Sequence, residues 1–489
     1  MRLVLNGNIN KLYVQTLCML FFRGERFPEN EENPRGILDL TTTDESDGIS
    51  CIARLSYDDK AVTSASFVPF EKGEKYERTS KASIGKAVLE AGYKLTGRII
   101  PWGTLTGIRP SKVTAQLLEE HTEDKVIDIL QDKYLLSKQK AELSVRVAKN
   151  EMSILKDFDE KSCSMYISIP FCPTRCSYCS FISYATKKLF DLIPSYLLKL
   201  KEQIKENFKI INRLGLKLVT IYIGGGTPTI LNENQLEELL KTVTEGLDGA
   251  KLLEFTLEGG RPDTITKEKL CVLKKYGIDR ISINPQSLND SVLEKIGRRH
   301  TVSDFFNAYK LVSDSGIEIV NTDLIAGLDG DSFDSFKDTV DKIISLNPHN
   351  VTVHSFSVKK SAQILKDDEK IYNKNEDYAA LSVDYAYEAL LNNGYEPYYM
   401  YRQKNTVSDL ENVGYAKKDT FGIYNVLMMS DEHTVFSAGA GATTKLVKKA
   451  NGKTEILRIF SHKYPYEYLQ DNQSIEMDAL KFFQGGDEK

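Results

Sequence analysis

The segment Cys172-Pro-Thr-Arg-Cys176-Ser-Tyr-Cys179 puts three thiols within eight residues, spaced C-x3-C-x2-C, directly after the strand-like run Tyr166-Ile-Ser-Ile-Pro170. Three thiolates on one loop can ligate three irons of a [4Fe–4S] cubane. The fourth iron is then left to a non-protein ligand, unlike the four-cysteine arrangement. A ligand with adjacent amino and carboxylate groups can chelate such an iron. A zinc site and inert structural cysteines are the competing readings. Structural zinc takes four protein ligands, usually as two separated pairs, whereas this chain has no second pair and no histidine in the loop. Spacing and strand context favour the cluster. The other four cysteines, Cys18, Cys51, Cys163 and Cys271, are scattered, and the odd total of seven does not form a disulfide framework. Cys163 is expected just ahead of the strand, pointing elsewhere.

Further candidates follow in chain order. Gly224-Gly225-Gly226-Thr227-Pro228-Thr229 comes after the next strand-like run. Bare glycines let backbone approach a ligand closely, and the run matches neither phosphate-binding fingerprint. Glu258, Gln286 and Asp323 each fall at or near the end of an expected strand, where carboxylate and amide acceptors suit hydroxyls or an ammonium. Each alone is equally a capping or solvated group. Arg298-Arg299-His300 reads as a compact basic patch suited to a carboxylate, or as a solvated helix end. Tyr398, Tyr399, Tyr401 and Arg402 fit either the wall of a flat-ligand site or ordinary packing. His354 reads as a packed polar residue.

These residues need a scaffold. Strand-like runs at Met165–Pro170, Val219–Gly224, Glu254–Glu258, Arg280–Asn284, Glu318–Ile325 and Val351–Phe356 alternate with amphipathic helical segments. Such alternation predicts parallel strands with crossover helices, hence an α/β fold with a partial (β/α)6 barrel. Its active residues belong at the C-terminal strand ends. Ahead of it, strand-like Met1–Leu5, Gly36–Leu40, Ile49–Leu55 and Ala61–Val68 with helical Ile9–Phe22 and Ser80–Leu95 predict an α+β domain. Expected boundaries are 1–158 for that domain, 159–373 for the barrel and 374–489 for a C-terminal α/β extension that covers substrate. At 489 residues the chain exceeds one hydrophobic core. With 64 Lys and Arg against 69 Asp and Glu there is no global field to attract nucleic acid, and no apolar run spans a bilayer. A cytoplasmic protein is expected.

The motifs resemble the radical SAM superfamily, and within it the oxygen-independent coproporphyrinogen III oxidase family. The resemblance runs from Tyr166 to Ser357 through Tyr166–Cys172, Gly224–Thr229, Arg280–Gln286 and Asp323–Leu328. A coproporphyrinogen dehydrogenase branch of that family also shares Trp102–Pro110, Glu258-Gly-Gly-Arg-Pro-Asp263, Tyr401–Asn405 and Asn412–Tyr415. The resemblance implies that Cys172, Cys176 and Cys179 hold the [4Fe–4S] cluster and serve as the catalytic residues. Tyr166, Tyr178, Gly225, Gly226 and Thr227 match positions that contact S-adenosylmethionine (SAM). Glu258, Gln286, Arg298, Asp323 and Ser357 match further such positions, so one SAM molecule or two are implied. The implied reaction reductively cleaves SAM and oxidatively decarboxylates two propionates of coproporphyrinogen III to vinyl groups, yielding protoporphyrinogen IX in haem biosynthesis. Implied partners are a porphyrinogen or haem-type tetrapyrrole and a reducing donor such as flavodoxin or ferredoxin. Decarboxylating members carry a further cysteine two positions after the third, where this chain has Phe181. In that respect it resembles the haem-chaperone branch, which keeps the cluster motif but binds haem. A tRNA-modifying radical enzyme is a third, weaker reading, opposed by the acidic balance.

Overall fold

The computed structural model describes residues 1–28, 33–70, 76–179, 186–357, 376–403, 406, 409–450, 452–471 and 474–484. It divides into two compact units, Met1–Lys149 with Tyr401–Lys404, and Asn150–Met400 with Asn405–Lys489.

In the first unit, strands β1 (Arg2–Asn6), β2 (Gly36–Asp44), β3 (Gly48–Tyr57) and β4 (Lys60–Pro69) form one sheet in that order. β1 runs parallel to β2, while β2, β3 and β4 are antiparallel neighbours. Alternation puts Leu38, Leu40, Cys51, Ala53 and Leu55 on one buried face. Helices α1 (Lys11–Phe21) and α2 (Tyr76–Thr96) supply the apolar side chains that cover it. Asn10 caps α1 by accepting from the Tyr13 amide at 3.0 Å, a contact worth about 1 kcal/mol. Arg402 belongs to this unit, its guanidinium 5.6 Å from the centre of the buried Trp102 ring.

The second unit is built on β5 (Ser162–Ile169), β6 (Lys217–Gly225), β7 (Glu254–Gly260), β8 (Arg280–Ile283), β9 (Ile319–Ala326) and β10 (Asn350–Ser355). These six pair in sequence order and in parallel. Parallel neighbours require long crossovers. Here those include α3 (Ile193–Arg213), α4 (Glu233–Leu247), α5 (Lys267–Lys275), α6 (Val302–Asp314) and α7 (Phe333–Leu346). The helices bury one stripe each. In α3 it is Tyr196, Leu197, Leu200, Ile204, Phe208 and Ile211, at the spacing of successive turns. Each fully buried Leu or Ile there contributes about 1.5–3 kcal/mol. Helix starts are specified locally: Asn232 and Gln235 form a capping box at α4, and Thr301 and Asp304 another at α6.

Among the described residues the first and last of these six strands pair with other strands rather than with each other. β10 pairs antiparallel with β12 (Glu411–Ala416), beyond which lies β11 (Glu396–Arg402). At the other edge β5 pairs in parallel with β13 (Thr434–Ala438), followed by β14 (Thr443–Ala450) and β15 (Lys453–Phe460). The architecture is thus a six-unit β/α run whose sheet is extended at both edges by C-terminal strands.

One detail differs from the sequence expectation. Cys163 lies inside β5, fully buried, rather than ahead of the strand. Burial pushes its thiol far above the usual range. Of the two readings of the tyrosine run, packing describes Tyr398 and Tyr399: both are buried, with Tyr398 stacked on Phe421 at 5.2 Å.

Candidate active site

The cysteine loop leaves the C-terminal end of β5 and is held there by two neighbouring loops. On one side, the Gly226 amide donates to Ile169 O at 2.8 Å and the Thr227 amide to Phe171 O at 2.8 Å. The glycine run at the end of β6 therefore continues the pairing of its strand along the start of the cysteine loop. A Cβ on Gly226 would lie 2.6 Å from Phe171 O and 3.0 Å from Cys172 Sγ, and Gly225 sits at φ +112°. Only glycine fits such an approach. Thr227 Oγ1 completes the contact, 3.4 Å from Cys172 Sγ. On the other side, the Ser177 amide donates to Ile296 O at 3.0 Å and Thr174 Oγ1 to Gly297 O at 3.3 Å.

The far edge of β5 is anchored as well. Tyr196 on α3 donates to Ser168 O at 2.8 Å and accepts from the Ala440 amide at 2.9 Å, while Ser168 Oγ donates to Ala440 O at 2.9 Å. The small-residue loop Ala438–Ala442 is thereby tied to the strand that carries the cysteines.

Arg298 is buried and donates to Asn284 O at 2.6 Å. Tyr178 and the Cys176 thiol lie near it. Burial opposes its charge, but Tyr178 and Cys176 outweigh that, and the guanidinium is held above its usual range. The expected basic patch is split by the structure. Arg299 is exposed, whereas His300 is buried with neither ring nitrogen bonded to any described residue. Burial first, then Arg298 and Arg261, push His300 down to about 3, so it is neutral. A cavity of about 860 Å³ opens here, lined by Pro173, Thr174, Arg175, Gly297, Arg298 and His300 among others.

A second cluster of groups sits on β5, β6 and β7. Tyr222 donates to Glu258 Oε1 at 2.6 Å, and a Cβ on Gly224 would lie 2.9 Å from Glu258 Cδ. Burial pushes the Glu258 carboxyl up to about 7. The Tyr222 hydrogen bond pulls it down, and the nearby Asp323 charge raises it. Tyr166 and Tyr222 stack at 6.2 Å, and Tyr424 stacks on Tyr222 at 4.6 Å. Burial raises the Tyr166 hydroxyl well above its usual range, with Glu258 adding to the effect.

Just past the end of β8 the chain is strained. Gln286 is buried at φ +68°, an uncommon conformation for a non-glycine residue. Its backbone bridges β9 beside Leu324: the amide donates to Asp323 O at 3.0 Å and the carbonyl accepts from Ile325 N at 3.0 Å. Gln286 Oε1 has no partner among the described residues, and neither do the buried Ser282 Oγ, Asn284 Oδ1 and Thr322 Oγ1. Asp323 accepts from Asn321 Nδ2 at 2.8 Å and lies 3.8 Å from His354 Nε2. Ser357 lies past the end of β10, in a bridge to Thr406. Phe181 lies outside the described residues.

The structure thus joins Cys172 to Gly226 and Thr227, Cys176 to Tyr178 and Arg298, Glu258 to Tyr166 and Tyr222, and Gln286 to Asp323. Tyr222, Tyr424 and Arg261 were not singled out from sequence. The signal for Tyr222 was present: it shares a strand face with Gly224, two residues on.

The donor set fits a thiolate-bound cluster. The three cysteine side chains are only half-buried, a glycine cradle admits no Cβ, and the buried Arg261 guanidinium lies 3.9 Å from the Cys176 sulfur. Among the described residues no three His, Cys, Asp or Glu side chains gather as around a single metal ion. A cubane asks for something different, since it spreads its ligands over separate irons. Orphaned acceptors at the ends of β8 and β9, with the Glu258 carboxyl, suit a ligand rich in hydroxyl and ammonium donors.

Residues 166–343 match the model of the radical SAM superfamily. The oxygen-independent coproporphyrinogen-III oxidase-like protein HemZ of Bacillus subtilis is 34% identical over 393 residues, 80% of this chain and 78% of that protein. The heme chaperone HemW of Lactococcus lactis is 32% identical over 286 residues, 58% of this chain and 70% of its own length. Among solved structures, coproporphyrinogen III oxidase HemN from Escherichia coli superimposes with a TM-score of 0.49 at 21% identity, covering 68% of this chain and 73% of that one.

Proposed function

Because the chain belongs to the radical SAM superfamily, in its oxygen-independent coproporphyrinogen-III oxidase-like group, we propose that it oxidatively decarboxylates two propionates of coproporphyrinogen III to give protoporphyrinogen IX. Membership implies a [4Fe–4S] cluster and SAM. When bound, these supply one-electron cleavage of the sulfonium and the hydrogen abstraction that starts decarboxylation. The observation that carries the reading is that similarity to the HemZ relative spans 80% of the chain, well beyond the superfamily segment.

Under this reading each residue has a task. Cys172, Cys176 and Cys179 hold three irons. Gly225, Gly226 and Thr227 bring backbone against the cofactors without a side chain intervening. Glu258, oriented by Tyr222, accepts from an ammonium or a ribose hydroxyl. Tyr166 and Tyr178 wall the site, and Gln286, Asp323, Arg298 and Ser357 contact SAM, as one molecule or two. Burial of Arg298 and partial burial of Glu258 strengthen their polar contacts. Residues 374–489 cover the tetrapyrrole, and a flavodoxin or ferredoxin delivers the electron. The described residues contain no helix long and apolar enough to cross a membrane, and cytoplasmic residence is part of the proposal.

A second reading is a haem-binding chaperone that retains the cluster. Phe181 in place of a further cysteine and the similarity to HemW favour it. Anaerobic incubation with SAM, dithionite, an electron acceptor and coproporphyrinogen III separates the two. Protoporphyrinogen formation supports decarboxylation, whereas stable haem binding without product supports delivery.

A further inference from the structure

Arg261 follows β7, three residues after Glu258, and is almost fully buried, with 3% of its surface exposed. A buried guanidinium is costly unless its donors are satisfied. Here Nε and Nη2 form a two-point clamp on the Asp263 carboxylate at 3.0 and 3.2 Å. The remaining nitrogen, Nη1, turns to the cysteine loop. It donates to Thr174 Oγ1 at 2.9 Å and lies 3.9 Å from Cys176 Sγ, within reach of a hydrogen bond to sulfur. Its backbone is fixed too, since Thr264 donates through both amide and hydroxyl to Arg261 O at 3.1 and 2.8 Å. The fork is therefore aimed rather than free to swing.

We propose that Arg261 is a positioning residue that sets the reduction potential of the cluster through its hydrogen bond to the Cys176 sulfur. The inference rests on the cluster reading above. Reduction adds one electron, taken from a low-potential donor, and so adds one negative charge to the cluster and its thiolates. A fixed guanidinium beside one thiolate stabilises the more negative state, which raises the potential. Hydrogen bonds to the sulfurs and local charge are established levers on such couples. Because the fork is held rigidly and is itself buried, the effect is little screened. Arg298 lies near the same thiol but is bonded to Asn284 O, so the two guanidiniums are separable by mutation. His300, near both and neutral, adds no charge of its own.

The test reconstitutes the full chain and its Arg261→Gln, Arg261→Lys and Thr174→Val variants anaerobically with iron and sulfide, without SAM. Iron content is assayed first, and the reduced fraction is then read by electron paramagnetic resonance during a dithionite titration. In R261Q the reduced-to-oxidised ratio at a fixed poise should fall about tenfold, equivalent to about 59 mV for one electron. R261K, which keeps charge without the fork, should fall less. A full iron complement in R261Q with an unchanged ratio overturns the proposal. Should R261Q fail to load iron, R261K decides, with T174V, which keeps the Cys176 contact, as the control for loop packing: a ratio lowered in R261K relative to T174V supports the proposal and an equal one overturns it. Failure of the unmutated chain to load iron would instead sink the cluster reading itself, and with it this inference.

Discussion

The hydroxyl of Tyr222 on β6 donates to Glu258 Oε1 on the adjacent strand at 2.6 Å, holding a half-buried carboxyl at the C-terminal ends of the strands. Burial lifts that carboxyl from 4.5 to about 7, so near neutral pH it is poised between its two forms.

The folded protein disfavours the ionised form, so this group's stabilising effect is complete below about 4.5 and is lost as pH rises through about 7. A ligand that brings an ammonium needs the carboxylate. SAM affinity should therefore increase as pH rises through about 7, and Glu258→Gln should bind weakly with a flat profile while stabilising the ligand-free protein at pH 8 by about 1 kcal/mol. Calorimetric titration from pH 6 to 8 checks the first, and urea unfolding the second.

At the cysteine loop, Gly226→Ala forces a methyl to within 2.6 Å of Phe171 O and 3.0 Å of Cys172 Sγ. The loop must shift, at a cost of about 1–3 kcal/mol, and iron retention should fall by half or more. Gly107→Ala, which meets nothing within 4 Å, serves as the control and should load iron normally.

Gln286 pays in backbone strain for the placement of its side chain. Gln286→Gly should relieve about 1 kcal/mol and raise the Tm of the ligand-free protein, while weakening SAM binding about tenfold through loss of the amide. Opposite movements of Tm and affinity are the expected signature; parallel loss of both would mean Gln286 serves packing alone.

Arg280 bonds Asn350 Oδ1 at 2.6 Å and the carbonyls of Thr420 and Phe421 at 3.0 Å, with Glu254 Oε2 3.5 Å away. Both partners of the ion pair are nearly inaccessible, and Glu254 also accepts from the Ile423 amide at 2.6 Å. Removing the guanidinium leaves a buried carboxylate uncompensated, so Arg280→Ala should cost about 3–5 kcal/mol in denaturant unfolding.

The six parallel strands were legible because each is a short apolar run followed by an amphipathic crossover, and both signals are local. β13 was not. Thr434–Ala438 is buried throughout, so it lacks the alternation that marks a strand, and nothing local specifies pairing with β5, some 270 residues earlier. The same reason hid the contacts of Tyr222 with Glu258 and of Arg261 with Cys176, which depend on strand register. Arg298, Arg299 and His300 read as one patch because neighbours in sequence share charge, but successive side chains after a helix end point different ways. Two went inward and one outward.

The most direct test of the central claim is anaerobic reconstitution of the chain with iron and sulfide, followed by SAM and dithionite, with 5′-deoxyadenosine measured by chromatography. The unmutated chain should develop the brown absorbance of a [4Fe–4S] cluster and release deoxyadenosine, and Cys172→Ala, Cys176→Ala and Cys179→Ala should each abolish its release. A colourless unmutated protein, or undiminished deoxyadenosine from any of the three variants, would contradict the account.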